Sequence, residues 1–194
     1  MKSLSKMVII MKSLLPWDID GTIGRRPPMR IKDIVIIGMM SAILIAVQVA
    51  LGFLPNVELV SLLIILFTLI LGRKTFYIIY VFVVMEGFLY GFGLWWINYL
   101  YVWTVLFIIA LIFSKQRSSF FWAIVSGSYG ISFGALCSIP YFITGGLPTG
   151  FAYWVSGIPF DLIHGIFNFI VTLILFHPLY LLLEMVSKRT EQLP

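Results

Sequence analysis

The stretch that decides the fold has small residues at a regular helical spacing. Residues 38–50 read Gly-Met-Met-Ser-Ala-Ile-Leu-Ile-Ala-Val-Gln-Val-Ala, so that Gly38, Ala42, Ala46 and Ala50 recur at every fourth position. On a helix these four residues form one smooth ridge between bulky apolar side chains. In a lipid bilayer such a ridge allows a second helix to approach closely. The stretch therefore predicts helix packing, either inside the chain or against a partner.

The composition of the whole chain indicates an integral membrane protein. Of its 194 residues, 61% are hydrophobic and only 11% are charged, whereas a soluble domain is about 25% charged. Long apolar stretches recur at lengths that suit bilayer-spanning helices. We therefore predict an all-α integral membrane protein, a bundle of six transmembrane helices with almost no soluble domain.

Turn signals and polar breaks set the limits of the six predicted spans. Pro140 is expected to kink or end the fifth span, and residues 144–150, which are rich in glycine, are expected to form a loop before the sixth. The predicted spans are residues 33–54, 57–71, 76–92, 99–113, 120–143 and 153–184.

The basic residues give the predicted orientation. All 13 Lys and Arg residues fall in residues 2–32, the second–third connection, the fourth–fifth connection and the C-terminus. Because basic residues favour the cytoplasmic side, both termini are expected there, and the net charge of +5 reflects topology rather than nucleic-acid binding. The predicted organisation is a cytoplasmic extension outside the fold (1–30), a membrane substrate-binding domain (31–188) and a cytoplasmic tail (189–194).

Polar and aromatic residues concentrate in the predicted outer half of the membrane domain. Ionisable side chains inside a span are costly and usually serve a site. Asp161, His164 and Asn168 also share one helical face. Aromatic walls with a few hydrogen-bonding groups suit a flat, polar small molecule. The candidate substrate-binding residues are Asn56, Glu58, Glu86, Trp95, Trp96, Asn98, Tyr141, Trp154, Asp161, His164 and Asn168.

Each of these residues also has a structural explanation. Trp and Tyr side chains at a membrane surface commonly form an interfacial belt. Glu58 could lie in the headgroup region, and Asp161 with His164 could be a structural pair. No basic residue falls in the predicted outer half. If the site exists, its ligand is therefore expected to be a neutral or cationic heteroaromatic compound: a thiamin or pyridoxine precursor, riboflavin, or a corrinoid fragment.

Catalysis and cofactor binding find little support in the sequence. The stretch from Gly72 to Thr75 ends like a phosphate loop, but the upstream glycine of that motif is missing. No HExxH or GxSxG motif occurs. The single Cys137 excludes an internal disulfide and any CxxC motif, and Asp161 with His164 supplies too few ligands for a metal. The chain is expected to be neither an enzyme nor the carrier of a cofactor.

Small size, six predicted spans and the Ala-xxx-Ala ridge together resemble the substrate-binding S component of an energy-coupling factor (ECF) transporter, a vitamin-uptake ABC system of prokaryotic cell membranes. The last span, from Gly157 to Asn168, is similar to the final helix of that family, where an Asn in a polar face helps to bind the ligand. The resemblance covers about residues 29–188.

This resemblance implies a division of labour among subunits. It implies that the chain binds a vitamin or precursor in a pocket open to the outside and capped by a loop at about residues 52–58. It also implies docking through Gly38, Ala42 and Ala46 onto a T transmembrane subunit, with two ABC ATPase subunits that supply the energy. The extension at residues 1–30 departs from the family pattern.

Two functions of other classes remain open at this point. A small structural or assembly protein would use the ridge for homodimerisation and the aromatic residues as an interfacial belt. A self-sufficient carrier would use Glu86, Asp161 and His164 for proton coupling.

Overall fold

The computed structural model describes residues 29–54 and 56–191. The chain divides into two units, residues 1–31 and 32–194, and the predicted extension lies outside the described residues except for its last two. The described part is all-helical, with no β-strand, which confirms the predicted class of secondary structure. Its six helices are α1 (Ile31–Leu51), α2 (Val60–Leu71), α3 (Lys74–Tyr90), α4 (Leu94–Ile112), α5 (Ser119–Cys137) and α6 (Ile139–Glu191).

Four of the helices, α1, α4, α5 and α6, are long and apolar enough to cross a membrane. The apolar helix α2 has only 12 residues and α3 has 17, whereas a perpendicular span takes about 20 residues. The described chain is therefore a helical bundle suited to a bilayer, with four helices long and apolar enough to span it and two shorter ones.

The central helix of the bundle is α2. It is apolar on every side, and all residues from Val60 to Thr68 are buried. A helix that is hydrophobic all round belongs in the interior, and α2 packs against α3, α4 and α6. These neighbours cover it with large side chains, among them Phe82 of α3, Leu106 of α4 and Phe176 of α6.

The closest helix packing joins α5 to α6 through glycines. A Cβ atom on Gly130 of α5 would lie 2.8 Å from the Cα atom of Gly165 and 2.9 Å from its nitrogen. One turn away, a Cβ atom on Gly127 would lie 3.2 Å from the carbonyl oxygen of Gly165. The two backbones are therefore in direct contact, as small residues permit in a membrane.

Several predicted boundaries were wrong near the membrane surfaces. Helix α2 begins at Val60 rather than residue 57, and α4 begins at Leu94, so that residues 95–98 are helical rather than a connection. Helix α5 ends at Cys137, and Pro140 lies in the first turn of α6. Proline is well tolerated there because the first N–H groups of a helix have no intrahelical acceptor.

The predicted loop at residues 144–150 is helical except at Gly146. Its φ of 74° is a conformation that glycine adopts readily. The chain nevertheless reverses near this residue, because the ring centroids of Tyr141 and Tyr153 are 3.9 Å apart. Twelve residues of straight helix would separate them by about 18 Å. The prediction located the reversal correctly but gave it the wrong local structure.

Helix α1 has one buried stripe and one exposed face. Asp33, Ile37, Ser41 and Leu44 form the buried stripe. The hydroxyl of Ser41 donates hydrogen bonds to the carbonyl oxygens of Ile37, at 2.8 Å, and of Ile78 in α3, at 3.1 Å. At the start of the helix, Lys74 Nζ lies 2.7 Å from Asp33 Oδ1. These contacts fix which side of α1 faces the bundle.

The small-residue ridge lies on the exposed face of α1. Gly38, Ala42, Ala46 and Ala50 are all exposed, and a Cβ atom on Gly38 would meet no other atom within 4 Å. The described helices therefore leave the ridge uncovered. Packing of the ridge inside the described bundle is excluded.

Gly130→Ala tests the close contact of α5 and α6. The added methyl group has no room against the backbone of Gly165, so the helices must separate, at a cost of about 1–3 kcal/mol. We expect a lower thermal unfolding midpoint in detergent, measured by circular dichroism. Gly38→Ala is the control, since its methyl group enters open space. Equal midpoints for Gly130→Ala and the unmodified protein would contradict the described packing.

Candidate ligand-binding site

A cavity of about 220 Å³ lies beneath the loop that joins α1 to α2. The end of α1 and the loop cover one side of it, and α4, α5 and α6 form the other. The loop contains Asn56, whose φ of 61° is left-handed, a conformation that asparagine tolerates better than most residues. The lining residues are Gln48, Leu51, Gly52, Leu54, Asn56, Val57, Glu58, Tyr99, Trp103, Phe133 and His164.

The cavity and the basic connections lie at opposite ends of the bundle. Gln48 follows Asp33 by 15 residues along α1, a distance of about 22 Å. Asp33 and Lys74 mark the basic end, and the guanidinium of Arg117 lies 5.3 Å from the ring centroid of Tyr180. Among the described basic residues, Lys74 and Arg117 therefore lie away from the cavity, and no Lys or Arg lines it.

Glu58 and His164 connect the loop to α6. Oε1 of Glu58 lies 3.2 Å from Nε2 of His164, and Oε2 accepts a hydrogen bond of 2.8 Å from the amide of Ser61. The amide belongs to the first turn of α2, where backbone N–H groups have no intrahelical acceptor. One carboxylate thus caps α2 and binds the last helix at the same time.

The pKa of Glu58 reflects these contacts. Burial raises the pKa of this carboxyl, but the hydrogen bond and charge of His164 and the hydrogen bonds from Ser61 outweigh burial. The pKa therefore lies below its usual value of 4.5. Glu58 is a carboxylate at neutral pH and is suited to face a neutral or cationic group.

A second polar contact lies one helical turn further along α6. Nδ2 of Asn168 donates a hydrogen bond of 3.3 Å to Oγ of Ser61, and both residues are buried. Asn168 does not line the cavity; it holds the start of α2 beside the His164–Glu58 pair.

Aromatic side chains form the inner wall of the cavity. The ring centroid of Trp103 lies 5.5 Å from that of Tyr99 and 5.6 Å from that of Phe133. His164 meets the ring of Phe133 edge-on at 5.1 Å. The wall offers flat apolar surfaces next to the carboxylate of Glu58, which suits a planar ligand with polar edges.

Asp161 faces α5 rather than the cavity. Its Oδ1 accepts a hydrogen bond of 3.0 Å from the amide of Gly134, and a Cβ atom on Gly134 would collide with the carboxyl group. Its Oδ2 is buried and has no hydrogen-bond partner among the described residues. Asp161 therefore belongs to the α5–α6 contact and retains one unused acceptor.

Glu86 is buried on α3 and lies apart from the cavity lining. Its side chain is 2% exposed, and Oε1 has no hydrogen-bond partner among the described residues. Twelve residues of continuous α3 separate it from Lys74, or about 18 Å. This distance from the basic end agrees with the depth predicted from the sequence.

Three candidates at the start of α4 also lie outside the cavity lining. Nε1 of Trp96 donates a hydrogen bond of 2.8 Å to the carbonyl oxygen of Val83. Oδ1 of Asn98 accepts one of 3.0 Å from Tyr101. The ring of Trp95 packs edge-on at 5.3 Å against Tyr99, a cavity residue. The indole N–H of Trp96 thus joins α4 to α3, whereas the bond of Asn98 lies within α4. Of these three residues, only Trp95 touches the cavity wall.

The remaining two candidates lie at the reversal of α6. Tyr141 stacks on Tyr153, and Trp154 lies against Phe151 with ring centroids 6.3 Å apart. Trp154 is 37% exposed. Neither candidate lines the cavity.

Of the candidate residues, the structure brings Asn56, Glu58 and His164 together around the cavity. Four polar or aromatic lining residues were missed as candidates: Gln48, Tyr99, Trp103 and Phe133. Gln48 is the only amide side chain in the ridge stretch of α1, and its polarity within an apolar helix was a usable signal. Phe133 gave no signal, because one phenylalanine among 17 cannot be told apart by composition. Among residues 29–54 and 56–191, no group of three or more His, Cys, Asp or Glu side chains could hold a metal ion.

The described chain is an all-helical protein of membrane character with a partly open cavity of polar and aromatic residues near one end. Comparison with protein-family models, with curated proteins and with solved structures gives no match.

Glu58→Gln tests the connection between the loop and α6. Because the pKa of Glu58 is lowered on folding, the carboxylate adds stability above the usual value of 4.5, and this contribution disappears as the pH falls through the lowered pKa. We expect the variant to lose about 1–3 kcal/mol at pH 7, and the loss to shrink in acid.

Denaturant unfolding in detergent at several pH values measures this loss. Glu184→Gln is the control, since it removes an exposed pair with Lys188, and exposed pairs contribute little. A difference between Glu58→Gln and the unmodified protein that did not change between neutral and acid pH would contradict the assigned role.

Proposed function

We propose that this protein binds a small heteroaromatic molecule in the cavity beneath the α1–α2 loop. The observation that carries the proposal is the cavity itself, where Glu58 and His164 meet an aromatic wall of Tyr99, Trp103 and Phe133. Such a site combines stacking surfaces with a few polar groups that orient a ligand. The loop that covers it is the natural route of entry, since it is the only non-helical part of the lining.

The size and charge of the cavity narrow the proposed ligand. Ligand pockets usually have volumes of roughly 300–1,000 Å³, and this cavity of about 220 Å³ is smaller. Its lining includes the Glu58 carboxylate and the His164 imidazole and contains no Lys or Arg. A one-ring or two-ring compound, such as a thiamin or pyridoxine precursor, fits these properties better than riboflavin, a corrinoid fragment or a polyanion.

We further propose that six helices cross the membrane and that both termini are cytoplasmic. The cytoplasmic end would then be marked by Lys74, which pairs with Asp33, and by Arg117, which lies over the ring of Tyr180. Basic residues favour that side of a membrane. The cavity would open toward the outside. The two shorter helices, α2 and α3, would cross as part of the bundle rather than as independent spans.

In this proposal the chain is the substrate-binding S component of an ECF-type vitamin importer. What supports this role is the combination of a cavity at one end of the bundle, away from Lys74 and Arg117, with an uncovered ridge at Gly38, Ala42 and Ala46. The ridge would dock on a T transmembrane subunit by van der Waals contact, without a charge to desolvate. Two ABC ATPase subunits would drive uptake in the prokaryotic cell membrane.

The ligand itself provides the first test. The full chain is purified in mild detergent, denatured, and the released small molecules are identified by mass spectrometry. We expect a stoichiometric, neutral or cationic heteroaromatic compound that is absent from a preparation of the variant Phe133→Trp, in which the larger ring fills the cavity. A polyanion released in stoichiometric amount would contradict the proposed ligand class.

Ala46→Trp tests the ridge. The indole prevents close approach of a partner helix, so ATP-driven uptake in cells that express the complete transporter should fall to background, while ligand binding to the purified chain stays unchanged. Ala152→Trp is the matched control, because it makes the same change at an exposed alanine of α6. Normal uptake by Ala46→Trp would exclude the docking role.

A second candidate function, a self-sufficient proton-coupled carrier, draws support from two buried carboxyl groups. Glu86 and Asp161 each have one buried oxygen without a hydrogen-bond partner among the described residues, and such groups often mark proton pathways in membranes. Proteoliposomes that contain only this chain separate the two functions. Uptake driven by a pH gradient without ATP or other subunits would favour the carrier.

A further inference from the structure

Trp103 of α4 is enclosed by aromatic rings on most sides. Its side chain is 2% exposed. Its ring centroid lies 6.3 Å from that of Phe82, 5.5 Å from Tyr99, 6.1 Å from Tyr129 and 5.6 Å from Phe133. Trp103 also lines the cavity. The side chain of Trp103 thus belongs both to this aromatic cluster and to the cavity wall.

The indole N–H of Trp103 has no acceptor among the described residues. Nε1 is buried and makes no hydrogen bond. An indole has this single donor and no acceptor, and a buried donor without a partner is costly. Buried tryptophans therefore usually find an acceptor for this atom.

Two other tryptophans of the chain follow that rule. Nε1 of Trp96 donates to the carbonyl oxygen of Val83 at 2.8 Å, and Nε1 of Trp122 donates to that of Gln116 at 3.2 Å. Both acceptors belong to the protein backbone. Trp103 differs because it lines the cavity and has no such acceptor.

We propose that Trp103 determines ligand specificity by donating its N–H to an acceptor atom in the plane of the bound ring. This inference rests on the proposed binding function and deepens it. It narrows the ligand class to aromatic rings that carry an in-plane acceptor, such as a pyridine-type nitrogen. Rings with only carbon at that edge leave the buried donor unpaired and bind more weakly.

Two probes of nearly equal shape test this inference. 3-Pyridinemethanol has a ring nitrogen with an in-plane lone pair, and benzyl alcohol has a C–H group in its place. Saturation-transfer NMR on the purified full chain in detergent gives the dissociation constant of each. We expect 3-pyridinemethanol to bind about tenfold more tightly, because only its nitrogen pairs the buried donor.

Trp103→Phe supplies the matched change in the protein. It keeps an aromatic ring and removes the N–H, so the affinity ratio of the two probes should fall to about one. Trp122→Phe is the control; it removes a structural indole hydrogen bond far from the cavity and should leave the ratio unchanged.

The outcomes separate the two levels of the proposal. If both probes bind the unmodified chain equally, a water molecule satisfies Trp103, and the specificity role is wrong although the cavity still binds ligands. If Trp103→Phe still binds 3-pyridinemethanol more tightly than benzyl alcohol, another donor binds the ring nitrogen and the assignment to Trp103 is wrong. If neither probe binds, the cavity does not accept single aromatic rings, and both this inference and the proposed ligand class are wrong. If Trp103→Phe fails to fold, equal binding of the two probes to the unmodified chain still contradicts the inference.

Discussion

The structure depends on the complete burial of α2. From Val60 to Thr68 this helix has no exposed residue, so it must be surrounded by other helices, and α3, α4 and α6 do so. Its first turn still requires hydrogen-bond partners, because the leading N–H groups of a helix have no internal acceptor. Glu58 provides one by accepting from Ser61. The same carboxylate faces the cavity and His164, so the capping of the central helix and the formation of the candidate site are one arrangement.

The glycines of α5 have a complementary effect. By bringing the backbones of Gly130 and Gly165 into contact, they draw α6 close to α5 and fix the rotation of α6. This rotation turns Asp161, His164 and Asn168 inward, where all three are buried. His164 then reaches the cavity, whereas Asp161 and Asn168 hold the helices on either side. Of the three polar residues on this face of α6, one therefore lines the candidate site and two stabilise the helix packing around it.

The sequence predicted the helical class and the membrane character, because these follow from composition and periodicity. It also predicted that Glu58, Asn56 and His164 belong to a shared region. It did not predict that Trp96 donates its indole N–H to Val83 of a neighbouring helix, since hydrogen-bond partners between helices depend on helix rotation. Gly127, Gly130 and Gly134 of α5 also recur at helical spacing, three and four residues apart, so the close contact of α5 with α6 has a signal in the sequence that was missed. The helical limbs around Gly146 were missed because the glycines and proline there favoured a loop.

The narrow contact between α1 and the rest of the bundle has an energetic consequence. Only a stripe of α1 is buried, and in lipid the exposed apolar face gains nothing by being covered with protein rather than with acyl chains. The specific attachments are the hydrogen bonds of Ser41 and the pair of Asp33 with Lys74. A tilt of α1 would therefore exchange a few polar contacts and little else. Because Gln48 of α1 lines the cavity, such a tilt would change the volume available inside it, so the size of the cavity depends on how firmly one helix is held.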